Sequence, residues 1–179
     1  ALGWAYTKIL QELTANPDMS GAQLGKAIVN SYIQDDQRIL DSAARAELLR
    51  QTSGMSGMFG SAPQMSASQL AAQMSRDVTL TAVDLTKMPA LIKSLNDLTV
   101  ALQDIPQSKI AKARTYAQSF TSVWGSNVPA SYLDLGHLVY LIKKEAGSAA
   151  VTEAADNVLR SLMTLIVAEK HGQTRPGAT

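Results

Sequence analysis

The chain contains no cysteine among its 179 residues. This removes disulfides, thiolate metal sites and a cysteine nucleophile, so any cysteine chemistry associated with the chain must come from residues outside it. An excess of either charge is missing too: 16 Lys and Arg stand against 15 Asp and Glu, a formal net charge of +1. Such a balance lacks the concentrated positive field that a phosphate backbone requires, and no nucleic-acid partner is expected. Long apolar runs are absent as well. A mainly apolar stretch such as Leu162 to Ala168 falls far short of the roughly 20 residues that span a bilayer. The amino terminus has no basic segment followed by an apolar one, so neither a membrane span nor a signal peptide is expected in this chain.

Catalytic signatures are equally scarce. The sequence holds no Gly-rich phosphate loop, His-Glu-x-x-His pair, Gly-x-Ser-x-Gly elbow or calcium loop, which argues against self-contained catalysis. The two histidines, His137 inside a helical pattern and His171 at a helical end, have no carboxylate or nucleophile at a telling spacing. They read as a packed or surface histidine and a dipole-complementing cap.

What is present is 46% hydrophobic residues, enough for one sizeable core, arranged mostly with helical period. Ile9, Leu10 and Leu13 mark a helix over 6–15 that stops at Asn16-Pro17, since the residue before proline is pushed out of the α region. Ser20 and Gln23 have capping-box spacing ahead of Leu24, Ala27, Ile28 and Tyr32. The helical pattern resumes at Ile39 and runs to about Arg50, after a bend or break at Asp35-Asp36. Thr86 is read as the cap of a helix tolerating Pro89 in its first turn, with Leu91, Leu95, Leu98 and Leu102 on one face. Later helices are predicted from Ser108, with Phe120 on its apolar side, to a stop at Gly125 to Pro129, from a cap at Ser131 to Gly147, and over 149–170. The last ends in Lys170-His171 with Gly172 as a left-handed cap.

Two segments break this pattern. Residues 52–76 are rich in Ser, Gly, Met, Gln and Ala and carry four of the seven methionines, at Met55, Met58, Met65 and Met74. Gly54, Gly57, Gly60 and Pro63 favour a flexible loop, the competing reading being an adaptable methionine-rich face. Arg45, Arg50 and Arg76 bracket the loop and read as solvated charges. The one clear strand covers about 78–83, where β-branched residues alternate. A lone strand forms no sheet, so its pairing partner is expected outside this chain.

Candidate site residues are few. Asp35-Asp36 fits a solvated turn better than a cation site, because adjacent carboxylates point in different directions. Trp4 and Tyr6, beside Gly3, are an amphipathic pair that either lines a pocket or anchors the core.

The run Gly3-Trp4-Ala5-Tyr6, then Leu10, Leu13, Asn16-Pro17-Asp18-Met19-Ser20 and Leu24-Gly25-Lys26-Ala27-Ile28-Val29-Asn30-Ser31-Tyr32, resembles the segment that follows the catalytic cysteine in clostripain-family cysteine peptidases. Thr79-Leu80-Thr81-Ala82-Val83-Asp84-Leu85-Thr86-Lys87, Ala113-Arg114, Gln118, Phe120 and Asp134-Leu135-Gly136-His137 follow in the family's order. The similarity covers nearly the whole chain apart from the methionine-rich loop.

The resemblance implies an α/β fold in which residues 1–179 form the mostly helical portion of a single caspase-like α/β/α sandwich domain. The parent would be a bacterial, secreted or cell-envelope endopeptidase cleaving after Arg or Lys. Its His base and Cys nucleophile are expected upstream of Ala1, in the N-terminal portion of the same peptidase. This chain alone would be inactive, with no catalytic residue and no metal ligand of its own. No cofactor is implied, though some relatives use calcium. Trp4 and Tyr6 match aromatic positions beside the catalytic strand and are the substrate-pocket candidates for a peptide or protein substrate. Ala5 stands where some members have an acidic residue, which leaves recognition of a basic side chain to carboxylates elsewhere. The alternative is a non-catalytic helical interaction or scaffold domain derived from the same family.

Overall fold

A computed structural model of the chain describes residues 3–52, 65–76, 78–120 and 132–175. Helices dominate. They are α1 (Tyr6–Ala15), α2 (Gly21–Ser31), α3 (Gln37–Leu40), α4 (Ser42–Thr52) and α5 (Ala67–Ser75) in the first half. Strand β1 (Thr79–Val83) leads into α6 (Met88–Ala101) and α7 (Gln107–Tyr116). The short strands β2 (Ser119–Phe120) and β3 (Tyr132–Leu133) precede α8 (Leu135–Ala146), α9 (Ala149–Leu165) and β4 (Ile166–His171). The chain is thus mostly helical with a few short antiparallel strands, α/β in the general sense. No helix among the described residues is long and apolar enough to cross a membrane.

The Ser20–Gln23 capping box forms as its spacing predicts: the Ser20 N–H donates to Gln23 Oε1 at 2.8 Å and the Gln23 N–H to Ser20 Oγ. A second box overturns the expected loop over its last part. The Ser66 N–H donates to Gln69 Oε1 at 2.9 Å and the Gln69 N–H to Ser66 Oγ, and α5 follows with Leu70 and Ala71 buried. The helix-breaking glycines and Pro63 all precede this cap. The rest of the predicted loop, 53–64, lies outside the described residues.

The expectation of a lone strand is also corrected. β1 pairs antiparallel with β4 in the register Thr79↔His171, Leu80↔Lys170, Thr81↔Glu169 and Ala82↔Ala168, with an irregularity between Ala82 and Val83. The helix predicted over 149–170 therefore ends at Leu165. Its apolar period runs on into Ile166-Val167-Ala168, residues equally suited to a strand, and backbone pairing with β1 decides between the two. Gly172 is not a left-handed cap. Its N–H donates to the Val78 carbonyl, and the Thr174 N–H to that of Arg76, so the ladder continues past β4. A Cβ on Gly172 would lie 2.0 Å from the Ser75 carbonyl oxygen, so this close approach admits only glycine.

Smaller corrections concern helix starts. Asp84, not Thr86, supplies the cap, accepting from the Thr86 N–H over a 3₁₀ turn at Leu85–Lys87; Pro89 sits in the first turn of α6 as expected. Phe120 leaves the helical pattern to pair with Tyr132. Asp134 caps α8 by accepting from the His137 N–H; the predicted cap Ser131 and the predicted stop at Gly125 to Pro129 lie outside the described residues. Gly147, at φ +67°, closes α8 in the predicted left-handed conformation.

Two apolar clusters hold these elements. The larger joins α6 to α9 through Leu91, Leu98, Val139, Val151, Ala155 and Val158. The smaller gathers Ile33, Ile39, Leu49, Leu70 and Ala71 from the first half. Helix α2 lies on the β1–β4 ladder, and a Cβ on Gly25 would come within 3.1 Å of the Ala82 Cβ. Arg45 is no solvated charge: it donates to the Ile39 carbonyl at 2.6 Å and to that of Met65 at 3.1 Å, tying α4 to the start of α5.

Replacing Gly172 with Ala is expected to lower stability by about 2 kcal/mol through overpacking. Gly21→Ala, whose added methyl meets nothing within 4 Å, is expected to change stability by less than about 0.5 kcal/mol. Urea denaturation of the two variants beside the parent chain checks both.

Candidate functional site

The candidates Trp4 and Tyr6 flank Ala5, which is buried and precedes the first turn of α1. They face different surroundings. The Trp4 ring meets the Tyr32 ring edge to face, with centroids 5.1 Å apart and planes at 71°. Tyr6 opens α1 and stays 57% exposed. Trp4 is therefore an anchored aromatic, and Tyr6 is a surface residue.

The turn after α2 fixes Trp4 from behind. The Ile33 N–H donates to the Gly3 carbonyl at 2.6 Å, and the Gly3 N–H donates to Asp36 Oδ2 at 2.6 Å. Both backbone groups of Gly3 are thus held by the turn. Gly3 adopts φ +91°, and a Cβ there would sit 2.9 Å from the Tyr32 ring, so conformation and space both demand glycine. Ile33 also has positive φ, at +67°, a conformation that costs a β-branched residue about 1–3 kcal/mol. Its burial and its bond to Gly3 offset that cost.

Asp36 is not the solvated acid that its place in an Asp-Asp pair suggests, being only 2% exposed. Besides the Gly3 N–H, its carboxylate accepts the Arg38 backbone N–H at 2.9 Å and the Arg38 guanidinium through Nε at 3.1 Å and Nη2 at 2.9 Å. It caps α3 and carries a two-pronged ion pair at once. Burial alone would raise its pKa, but the hydrogen bonds from Arg38 and Gly3 and the Arg38 charge outweigh burial and hold the carboxyl below its usual range. On the far side, Lys170 of β4 donates to the Tyr32 carbonyl at 2.7 Å. Burial pushes this ammonium below its ordinary pKa, against the opposing charge of Asp35.

The structure thus joins Trp4 to Tyr32, Asp36, Arg38 and Lys170; of these only Asp36 is weighed as a site residue from sequence, where it reads as part of a solvated turn. Asp36 had one usable signal. An aspartate directly before a helix start, two residues ahead of an arginine, fits a capping residue better than a solvated turn.

A separate cleft of about 380 Å³ lies between the β1–β4 ladder and the β2–β3 pair, lined by Thr79, Thr81, Phe120, Asp134, Glu169 and His171. There His171 Nδ1 is 2.8 Å from a Glu169 carboxylate oxygen, so His171 belongs to a strand rather than to a helix end. His137 is half-buried, its Nδ1 accepting the Gln118 N–H at 3.0 Å. Among the described residues, no three His, Cys, Asp or Glu side chains come together as a metal site.

In comparisons with known proteins, no family model, no curated protein and no solved structure matches the chain.

Asp36→Asn is expected to cost about 2 kcal/mol at neutral pH, because it strips an acceptor from buried donors and breaks an ion pair whose carboxylate, though not its guanidinium, is buried. The sign of the pH dependence follows from the lowered pKa of Asp36. Its stabilisation is complete above the unfolded-state carboxylate pKa of about 4 and is lost as pH falls through the lower folded value. The stability gap between Asp36→Asn and the parent should therefore close on acidification, which denaturant titrations at a series of pH values measure.

Proposed function

We propose that this chain is the half that follows the catalytic cysteine in a clostripain-like cysteine endopeptidase, a bacterial enzyme of the secreted or cell-envelope class that cleaves after Arg or Lys. The observation that carries the reading is the ordered set of resemblances from Gly3-Trp4-Ala5-Tyr6 to Asp134-Leu135-Gly136-His137, which spans nearly the whole chain. Support comes from the anchoring of Trp4 against Tyr32 and Asp36, which suits a rigid wall beside a catalytic strand. The step from β1 through a tight turn into α6 suits the α/β/α sandwich of that family.

In this reading the chemistry divides between two parts of one polypeptide. The upstream part contributes the thiolate that attacks the scissile carbonyl and the imidazole that carries the proton to the leaving amine. Backbone N–H groups beside the cysteine hold the oxyanion. The present chain contributes the pocket wall at Trp4, with Tyr6 at its outer edge, and the β1–β4 ladder as sheet support. No calcium is assigned to its residues.

A second reading, a non-catalytic interaction or scaffold domain of the same descent, is favoured by one feature. Among the described residues, β1 and β4 pair only with each other, leaving each strand an edge on which another chain can add.

One experiment separates the two. Because residues 1–179 contain no thiol, an alkylating agent acts on the proposed full-length protein only through its other segments. That protein is expected to hydrolyse Arg-X and Lys-X peptides, to lose this activity with iodoacetamide, and to be inactive when reduced to residues 1–179. Hydrolysis that survives alkylation overturns the peptidase reading, as does its absence in a full-length protein without an upstream Cys and His.

A further inference from the structure

The direction in which Trp4 leaves the backbone is set by Gly3, whose N–H and C=O are both held by the turn after α2. Of these two bonds, the one to Asp36 Oδ2 depends on a side chain, and that side chain is a buried carboxylate kept charged by Arg38. The other bond comes from Ile33, whose positive φ needs support from its surroundings. The ring that receives Trp4 belongs to Tyr32, and Lys170 holds the Tyr32 carbonyl from β4. Moving the Asp36 carboxylate therefore disturbs the Gly3 peptide and the angle at which Trp4 meets Tyr32. Tyr6, on an α1 that buries no residue, meets this network through its electrostatic interaction with Arg38.

We infer that Asp36 is a positioning residue for the substrate pocket, acting through the Gly3 peptide to orient Trp4; the inference rests on the peptidase reading for its functional meaning. Asp36 is spent internally on Gly3 and Arg38 and does not itself recognise the basic side chain of the substrate. Its loss should therefore weaken substrate binding and leave the chemical step, performed by upstream residues, nearly untouched.

The test uses the full-length protein labelled with 5-fluorotryptophan, the Trp4 ¹⁹F resonance being assigned by its disappearance in Trp4→Phe. In Asp36→Asn, with helical circular dichroism retained, the Trp4 resonance is expected to shift and broaden. KM for an Arg-X peptide should rise about tenfold, the equivalent of roughly one hydrogen bond, with kcat changing by less than about twofold. A Trp4 resonance that stays in place overturns the inference, as does a fall in kcat at constant KM. Should Asp36→Asn lose its helical signal, Arg38→Gln is measured the same way, since the Arg38 side chain is 44% exposed and leaves the Gly3 bond to Asp36 in place. A resonance that moves together with KM then supports the inference, and a KM change without it refutes it. If the unmodified protein hydrolyses neither Arg-X nor Lys-X peptides, the peptidase reading fails, and the resonance alone decides whether Asp36 orients Trp4.

Discussion

A carboxylate removed from water must find its hydrogen bonds inside the protein, and Asp36 finds them in two separate stretches of chain. Gly3 comes from the start of the described residues and Arg38 from the first turn of α3. Burying the charge is tolerable only because these donors converge on it. Their convergence in turn dictates the glycine at position 3, the positive φ of Ile33 and the seat of Trp4 on Tyr32. A small number of polar contacts thus specifies a region in which α1 itself buries no side chain.

The same junction reaches the end of the chain through Lys170, whose ammonium bonds the Tyr32 carbonyl. β4 also pairs with β1 and follows α9 without an intervening loop. Packing of α9 on α6 within the larger cluster therefore sets where β4 begins, and β4 carries that constraint to α2 and the turn beyond it. A two-stranded ladder is marginal in isolation. Here α2 packs on it and the bonds of Gly172 and Thr174 lengthen it. This gives Trp4 a backing that extends across the molecule.

Much of the helical framework was legible because its signals are local. The Ser20–Gln23 box, Pro89 in a first turn and Gly147 at a helix end each act within one turn of chain, and each appears where the spacing places it. The Ser66–Gln69 box was just as local, but it was hidden behind the glycines and Pro63 that precede it. The end of α9 was not legible. Leu162, Leu165 and Ile166 satisfy a helical period and a strand equally, and only the partner strand more than eighty residues earlier breaks the tie. The site was read by halves: Trp4 and Tyr6 stood out as aromatics, whereas Asp36 passed for a surface acid.

Composition and short-range pattern by themselves determined that this chain is mostly helical, that it carries no thiol, and where α1, α2 and α9 start. These follow from residue types and from caps that need no distant partner. The resemblance to clostripain-family peptidases also lives at that level, since it rests on the order of residues. Tertiary structure alone decided that β1 has its partner within the chain, that Gly172 serves a close approach, and that Asp36 is buried with the Gly3 N–H bonded to it. Burial and strand pairing are relations between segments far apart in sequence, and desolvation makes a carboxylate structural only when folding brings its donors to it.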